Sequence, residues 1–381
     1  MALDSGSPLR GVRNDGKKAT RSRYAPLNNP ARVLVSAGMI RFAFLLVLLL
    51  FLPCAASAQQ PVSAVRPEVH PGEAALVAEV AADTGKDPAA LTKLLDGAQY
   101  QQSIIDAMTR PAESKPWSEY RPIFLTPARI DGGIAFYNEH RALLDKISAR
   151  YGVPAPIIVA ILGVETRYGK ITGHYRVLDA LVTLAFHYPP RAAYFRDELK
   201  TLLELPDNKL AGPLDTLQGS YAGAQGWGQF MPSSIRDYAV DEDGDGRIDL
   251  MNSLPDIVAS VANYFAGHGW RAGAPVALRA LQGAAPDPVP EYANQPPAAP
   301  VEQFTAAGYA PSAAVDPGLP ASLLTLQGDQ GSEYWLTFQN FYVITRYNKS
   351  PRYAMAVMQL AQQIEQGASQ SIETATAEAA R

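Results

Sequence analysis

The sequence predicts a mainly α-helical (α+β) protein in which a small β subdomain is inserted between helical parts. Apolar residues recur at helical spacing through much of residues 73–152. Residues 157–164 are apolar on every face, as expected of a helix that is buried on all sides. Residues 271–325 are instead rich in Pro, Ala and Gly and contain short β-like pieces, so a separate β or loop subdomain is expected there.

The individual elements follow from the same patterns. Prolines at 154 and 156 suit the first turn of the buried helix. Periodicity predicts further helices at residues 73–82, 88–95, 126–151, 177–186, 191–205, 233–238, 257–267 and 353–364. Residues 100–127 carry no clear period, and β-like pieces are expected at 275–280 and 323–327. The predicted organisation is an N-terminal extension with a signal peptide (1–58), a linker (59–72), a helical subdomain (73–152), a core with an acidic loop (153–270), a small β/loop subdomain (271–334), a return to the core (335–365) and a flexible tail (366–381).

Composition excludes several classes of protein. Hydrophobic residues make up 47% and charged residues 18% of the chain, an ordinary balance for a globular protein with a sizeable core. The formal net charge of −4 gives no basic surface for nucleic acid. Cys54 is the one cysteine, which excludes an internal disulfide and a cysteine-based zinc site.

The N-terminal segment has the layout of an export signal. Basic residues are scattered through 10–41, an apolar run fills 42–52, and Ala-Ser-Ala at 56–58 is a typical cleavage site. Met39 is an alternative start. The apolar run is short for a membrane span, which needs about 20 residues, so a membrane anchor is the less favoured alternative. Cys54 follows a proline, which is a poor residue for lipidation, so a soluble periplasmic product is expected in preference to an outer-membrane lipoprotein.

Glu165 is the sharpest candidate for chemistry. It ends the buried apolar helix, where burial raises the pKa of a carboxylic acid. An acid with a raised pKa can protonate a glycosidic oxygen at neutral pH. The competing interpretation is an ion pair with Arg167 or Arg176, and the pattern alone leaves both open.

An acidic loop follows at residues 241–249. It matches the start of an EF-hand calcium loop, with acids at the first, third and fifth positions and glycine at the sixth. The pattern breaks at the twelfth position, where Asn252 replaces the expected Glu, although Asp256 lies further on and could close the cage. An acidic surface turn is the alternative. The candidate ligands are Asp241, Asp243, Asp245, the carbonyl of Arg247 and Asp256.

Residues 219–234 form a glycine-rich segment with polar and aromatic side chains. Its four glycines allow a close approach of the backbone to a ligand or to another segment. Ser220, Gln225, Trp227 and Gln229 carry groups that suit sugar recognition, and a packed turn before the next helix is the alternative. The chain has neither a His-Glu-x-x-His zinc motif nor a Gly-x-Ser-x-Gly nucleophile elbow.

These features, in this order, resemble the membrane-bound lytic murein transglycosylase B family (lytic transglycosylase family 3). The similarity rests on blocks at residues 163–173, 178–195, 219–234, 260–265 and 340–348, and it covers roughly residues 70–365. It implies a lysozyme-like core with an N-terminal helical subdomain and a small inserted β subdomain. It also implies cleavage of the β-1,4 bond between N-acetylmuramic acid and N-acetylglucosamine in peptidoglycan, with formation of 1,6-anhydromuramic acid.

The resemblance also assigns site residues. Glu165 takes the position of the single catalytic acid/base, and the five acidic-loop ligands take those of a structural Ca²⁺ site, with no cofactor required for the chemistry. One arginine, Arg191, stands where the family often has two, so the contact to peptide carboxylates is expected to be weaker. The implied substrate contacts are Ser220, Gln229, Tyr264, Tyr120, Arg191, Tyr194, Tyr347, Asn348 and Tyr353.

Three other functions remain as alternatives at this stage. A lysozyme-like muramidase would use water where the lyase uses the C6 hydroxyl of the substrate. A non-catalytic peptidoglycan-binding protein would not need Glu165, and a calcium-responsive module would be expected to carry paired loops rather than one. The expected partners are peptidoglycan glycan strands, with cell-wall synthesis enzymes as further candidates, and the protein is expected to be a monomer without membrane attachment.

Overall fold

The computed structural model describes residues 69–109 and 115–379, with side chains described through residue 371. The predicted signal peptide and residues 59–68 of the predicted linker therefore lie outside the described residues. The helices are α1 (Glu73–Thr84), α2 (Pro88–Asp96), α3 (Gln102–Met108), α4 (Trp117–Phe124), α5 (Pro127–Glu139), α6 (Arg141–Tyr151), α7 (Ala155–Thr166), α8 (Val177–His187), α9 (Ala192–Glu204), α10 (Pro232–Tyr238), α11 (Leu254–Gly267), α12 (Val301–Ala306), α13 (Gln339–Tyr347) and α14 (Pro351–Ala379).

In the described part of the chain the strands form two antiparallel sheets. The strands are β1 (Tyr175–Arg176), β2 (Gln218–Gly219), β3 (Ala277–Gln282), β4 (Ala299–Pro300), β5 (Tyr309–Pro311), β6 (Pro320–Gly328) and β7 (Gly331–Thr337). The first two pair with each other, and the other five form one sheet in the order β4-β6-β7-β3-β5. This sheet has its own small apolar core and confirms that the chain is α+β.

The buried apolar helix is the centre of the fold. Every residue of α7 is buried, and α5, α6, α11 and α14 pack around it. Pro154 caps its start with extended backbone, and Pro156 lies in its first turn, where the missing amide hydrogen is not needed. A helix enclosed on all sides holds its last residues in a fixed place, and Glu165 is one of them.

Three helical predictions are corrected. The pattern over 126–151 is two helices, α5 and α6, separated at His140, whose backbone (φ −108°, ψ 18°) ends one and begins the other. The aperiodic stretch 100–127 contains the short helices α3 and α4. The last helix runs from Pro351 to Ala379 instead of 353–364, so it continues through most of the expected flexible tail.

The β region extends slightly beyond the prediction. Strand β7 ends at Thr337, inside the stretch that was expected to return to the core. Among the described residues, no single helix is long and apolar enough to cross a membrane, and only the bent pair of α6 and α7 meets that test jointly, by length and composition.

Candidate active site

Glu165 lies in the last turn of α7 and is 6% exposed. The helix ends at Thr166 because Arg167 and Tyr168 adopt left-handed backbone, with φ of 52° and 61°. The amide of Tyr168 donates to the carbonyl of Leu162 at 3.0 Å, which satisfies an end carbonyl in the way of a Schellman motif. Left-handed backbone is uncommon outside glycine, and such strain concentrates at functional sites.

A packed tyrosine and a buried arginine hold this helix end. The hydroxyl of Tyr168 donates to the carbonyl of Arg129 at 2.6 Å, and Nε of Arg129 donates to the carbonyl of Gly163 at 2.9 Å. A Cβ on Gly163 would lie 2.5 Å from the Tyr168 hydroxyl, so only glycine fits there. Sequence reasoning missed these roles: Arg129 belongs to no motif, and Tyr168, although it lies in the block at residues 163–173, gives no local signal of a contact with Arg129.

Burial dominates the electrostatics of Glu165. Loss of water around the carboxyl raises its pKa, and the Tyr353 hydroxyl, which donates to Oε1 at 2.5 Å, lowers it by a smaller amount; together they leave the pKa at about 7 instead of an ordinary 4.5. The pKa of Tyr353 is raised well above 10, first by burial and then by the charge of Glu165. Tyr353 therefore stays a hydrogen-bond donor, and Glu165 changes between acid and carboxylate near neutral pH.

Further tyrosines form a cluster with Tyr353 beside the acid. The rings of Tyr264 and Tyr347 lie 4.6 Å apart, and their hydroxyls donate to the carbonyls of Arg346 (2.7 Å) and Gly228 (2.8 Å). Tyr120 is fully buried, and its ring contacts Trp117 and Phe124. Of these predicted substrate contacts, Tyr120, Tyr264 and Tyr353 are buried and Tyr347 is half-buried, and two of the four hydroxyls hold backbone carbonyls.

The glycine-rich segment forms a tight loop stabilised by its own polar groups. Oγ of Ser220 accepts hydrogen bonds from the amides of Ala222 (3.3 Å) and Ala224 (3.0 Å). Gln229 has left-handed backbone (φ 52°), and its side-chain amide donates to the carbonyls of Thr172 (3.1 Å) and Gly226 (3.0 Å). Both side chains are buried, so they hold the loop in place in addition to any contact that they make with a ligand.

The remaining predicted contacts lie at two helix starts. Asn348 is buried before α14, where its Oδ1 accepts from the amide of Ser350 at 2.9 Å. Arg191 immediately precedes α9, and its guanidinium carbon lies 4.6 Å from the centre of the Tyr194 ring. Tyr194 is 40% exposed, which makes it the most open of the predicted contact tyrosines.

The acidic loop brings three of its predicted ligands together. Carboxylate oxygens of Asp241, Asp243 and Asp256 lie within 4.8 Å of one another. Asp256 is 1% exposed, and burial raises its pKa, although the amides of Glu242 and Asp249 donate to it. A buried carboxylate beside two others fits a hard cation such as Ca²⁺, which takes oxygen ligands.

The other two predicted ligands lie differently. Asp245 is exposed and lies outside this group of three, and its Oδ1 accepts from the amide of Arg247 at 2.8 Å. The guanidinium of Arg247 donates to the carbonyl of Leu210 at 3.2 Å. The neighbouring Glu242 forms ion pairs with Lys146 (3.0 Å) and Arg150 (2.6 Å), which ties the loop to α6.

The helical core encloses one carboxylic acid whose pKa lies near neutral pH, and a glycine-rich loop and a tyrosine cluster lie beside it. This arrangement is that of a lysozyme-like enzyme that acts on glycans. The comparison with known families agrees: residues 69–362 match the family model described as the transglycosylase SLT domain. The chain belongs to this family, and it is a lytic transglycosylase, a lyase that cleaves peptidoglycan.

Individual relatives give the same result. The chain is 43% identical over 290 residues to membrane-bound lytic murein transglycosylase B of Escherichia coli (strain K12), covering 74% of this chain and 79% of the relative. It is 40% identical, with a TM-score of 0.72, to the E. coli lytic transglycosylase Slt35 in complex with calcium, over 79% and 94% of the two chains. It is 32% identical, with a TM-score of 0.67, to SltB3 of Pseudomonas aeruginosa in complex with NAG-anhNAM-pentapeptide, over 76% and 78%.

Proposed function

We propose that Glu165 is the single acid/base of a lyase that cleaves the β-1,4 bond between N-acetylmuramic acid and N-acetylglucosamine and forms 1,6-anhydromuramic acid. The observation that carries the proposal is the buried carboxyl of Glu165, whose pKa is about 7 and whose Oε1 accepts from the Tyr353 hydroxyl. A group with that pKa exists in both protonation states at neutral pH, as a residue that first gives and then takes a proton requires.

The reaction conserves atoms without water. Protonated Glu165 gives its proton to the glycosidic oxygen as the bond from that oxygen to C1 of the muramic residue breaks. The positive charge that develops on C1 is of the oxocarbenium type and is stabilised by the N-acetyl group of the substrate. The carboxylate of Glu165 then takes the proton of the C6 hydroxyl, and O6 bonds to C1. The acid is restored, and the intramolecular attack has an effective molarity on the order of 10⁵ M or more.

The substrate contacts are proposed to divide into two kinds. Tyr194 is exposed and Tyr347 partly exposed, so their rings can meet a sugar directly. Arg191 next to Tyr194 is proposed to meet a peptide carboxylate. The buried members, Ser220, Gln229, Tyr264, Tyr120, Asn348 and Tyr353, are proposed to shape the site and to offer a ligand only their edges.

Product mass distinguishes the lyase from a hydrolase on the same fold. Purified sacculi are digested with the protein, and the muropeptides are weighed by mass spectrometry. Products one water lighter than their reducing counterparts are expected, whereas reducing-end muramic acid would establish the muramidase alternative. Glu165→Gln is expected to abolish turnover and keep sacculus binding, and Glu302→Gln, on the exposed side of α12, is the matched control. Turnover by Glu165→Gln would refute the assignment.

A structural Ca²⁺ is proposed for the acidic loop, held by Asp241, Asp243 and Asp256, with Asp245 and the carbonyl of Arg247 completing the oxygen ligands. The calcium complex of the E. coli relative supports this proposal. Such an ion would offset most of the negative charge of the three neighbouring carboxylates and would take no part in the chemistry at Glu165.

The location and partners follow from the substrate. The E. coli relative is named as a membrane-bound lytic murein transglycosylase, and SltB3 of P. aeruginosa is in complex with NAG-anhNAM-pentapeptide. Both support a cell-envelope location and glycan strands as the ligand. We propose a soluble periplasmic protein exported by the signal at residues 1–58. A monomeric state and contacts with cell-wall synthesis enzymes stay predictions.

A further inference from the structure

A cleft of about 810 Å³ lies between the β sheet and the helices α4 and α14. Helix α14 contributes three glutamines to its wall, and the turn and strand that follow β6 contribute an indole and two acids. A volume of this size falls within the range of small-ligand sites, about 300–1,000 Å³. The lining residues are Arg121, Pro122, Leu125, Ile130, Arg279, Asp329, Glu333, Trp335, Gln359, Gln362 and Gln363.

The indole ring of Trp335 in this cleft is held in place by Arg279 and Glu333. Trp335 on β7 stands opposite Arg279 on β3, and the guanidinium carbon lies 5.3 Å from the centre of the indole ring. The guanidinium is fixed in turn by Glu333, whose Oε2 lies 2.7 Å from Nη1. Because Arg279 is neutralised by Glu333, the cleft offers an aromatic surface without a strong net charge.

Two buried polar atoms in the cleft wall have no hydrogen-bond partner among the described residues. They are Nε1 of Trp335, a donor, and Oε1 of Gln359, an acceptor. Buried polar groups in proteins are nearly always paired, so two such atoms in one cleft call for an explanation. The Gln359 side chain is only partly buried, so rotation of its terminal amide can present an acceptor or a donor to a ligand with hydroxyl and amide groups, whereas Nε1 of Trp335 is enclosed and is not reached directly.

The cleft is built by the same helices that build the site around Glu165. Helix α4 carries Tyr120 and then Arg121, and α14 carries Tyr353 and then the three glutamines. At 1.5 Å per residue, Gln359 to Gln363 lie roughly 9–15 Å beyond Tyr353 along the axis of α14. That separation places the cleft within reach of the same polymeric substrate.

We propose that this cleft is an accessory saccharide site, which binds N-acetylated sugars of a glycan segment distant from the bond cleaved at Glu165. Neutral amides, an indole and an ion pair suit an uncharged sugar with hydroxyl and acetamido groups, because they supply both hydrogen-bond donors and acceptors. The other two charged residues of the wall, Arg121 and Asp329, are of opposite sign, so the lining carries no net charge. The proposal rests on the glycan-cleaving function but not on the identity of its product.

A binding titration with a variant that cannot cleave the glycan tests the accessory site. The full chain with Glu165→Gln is mixed with the soluble hexamer of N-acetylglucosamine, and the indole N–H signals of its four tryptophans are followed by NMR. The signal of Trp335 is assigned by its loss in Trp335→Phe. We expect the Trp335 signal to shift when the hexamer is added. The double change Gln359→Ala and Gln362→Ala is expected to raise the dissociation constant of the hexamer, measured from this shift, at least fivefold. Gln303→Ala, on the exposed side of α12, is expected to leave it unchanged.

Three results would overturn the site: no shift of the Trp335 signal at saturating hexamer, equal affinity in the glutamine variant, or a shift caused by a stem peptide but not by the hexamer. Product masses from the unmodified enzyme decide the proposed lyase reaction separately. A hydrolase product with a sugar-responsive Trp335 would refute that reaction and keep the accessory site.

Discussion

Glu165→Gln is expected to make the folded protein more stable at neutral and alkaline pH. The raised pKa of Glu165 means that its ionised form is held in the folded state at a cost. Between the ordinary value of 4.5 and about 7, at about 1.4 kcal/mol per pKa unit, the cost is about 3–4 kcal/mol. Glutamine occupies nearly the same volume, can accept from the Tyr353 hydroxyl and carries no charge, so it avoids that cost.

The direction follows from proton binding. Between the two pKa values the folded state holds a proton that the unfolded state has lost, so the free energy of unfolding of the unmodified protein falls as pH rises through this window. It levels off above about pH 7, where both states are ionised at Glu165. The variant lacks this contribution, so the difference between the two proteins grows with pH over the same window.

Denaturant unfolding from about pH 4 to about pH 9 measures the effect, with the two proteins compared at each pH. The exposed Glu302→Gln is the control and is expected to follow the unmodified protein. Parallel curves for Glu165→Gln and the unmodified protein would refute the raised pKa, and with it the physical basis for a single acid/base.

Removing the hydrogen bond to Glu165 gives an independent check of the same electrostatics. The Tyr353 hydroxyl favours the carboxylate, so Tyr353→Phe is expected to raise the pKa of Glu165 further above 7. Because protonated Glu165 begins the proposed reaction, the alkaline decline of kcat/KM is expected to move to higher pH in this variant. An unchanged or lower midpoint would contradict the assignment of the bond.

Two further predictions concern packing and the metal site. Gly163→Ala is expected to destabilise the fold by about 1–3 kcal/mol, because the new methyl would lie 2.5 Å from the Tyr168 hydroxyl. Gly212→Ala is the control, because the space around Gly212 is open, and it is expected to change the melting temperature little. Equal melting temperatures for the two variants would contradict the packing. Calcium at 100 times its dissociation constant is expected to stabilise the unmodified protein by about 2.7 kcal/mol, and this gain is expected to be lost in Asp256→Asn but kept in the exposed Asp287→Asn. Thermal unfolding with calcium and with chelator measures it, and a calcium response in Asp256→Asn as large as in the control would exclude Asp256 as a ligand.

Periodicity predicted the helices that pack but not where they bend or end. The apolar spacing of residues 126–151 continues through His140, because two helices joined by one residue can keep a common buried face. Helix α4 was missed since Pro122 lies inside it, and α3 because it has only 7 residues. The tail beyond residue 364 is rich in Ala, Gln and Glu, and these good helix formers extend α14 although its composition looked like that of a frayed end.

The candidate site shows a similar division. Glu165 stood out in the sequence because a carboxylic acid ends a wholly apolar helix, and that same pattern accounts for its burial. Its hydrogen-bond partner, Tyr353, lies 188 residues away, and no local pattern predicts such a pairing. The support from Arg129 and Tyr168 likewise depends on how α5 meets α7, which only the three-dimensional packing defines.

The environment of Glu165 fits a reaction that uses one carboxyl group twice. A glycosidase with two carboxylates can divide the tasks between an acid of high pKa and a nucleophile or base of low pKa. One group that must do both needs a pKa near the working pH, where neither protonation state is scarce. Burial alone would push Glu165 upward, and the Tyr353 hydroxyl, kept protonated by its own burial, pulls it back toward about 7. On this view Tyr353 is a positioning residue. Its second role is to stabilise the ionised form of Glu165 after the first proton has been given to the glycosidic oxygen.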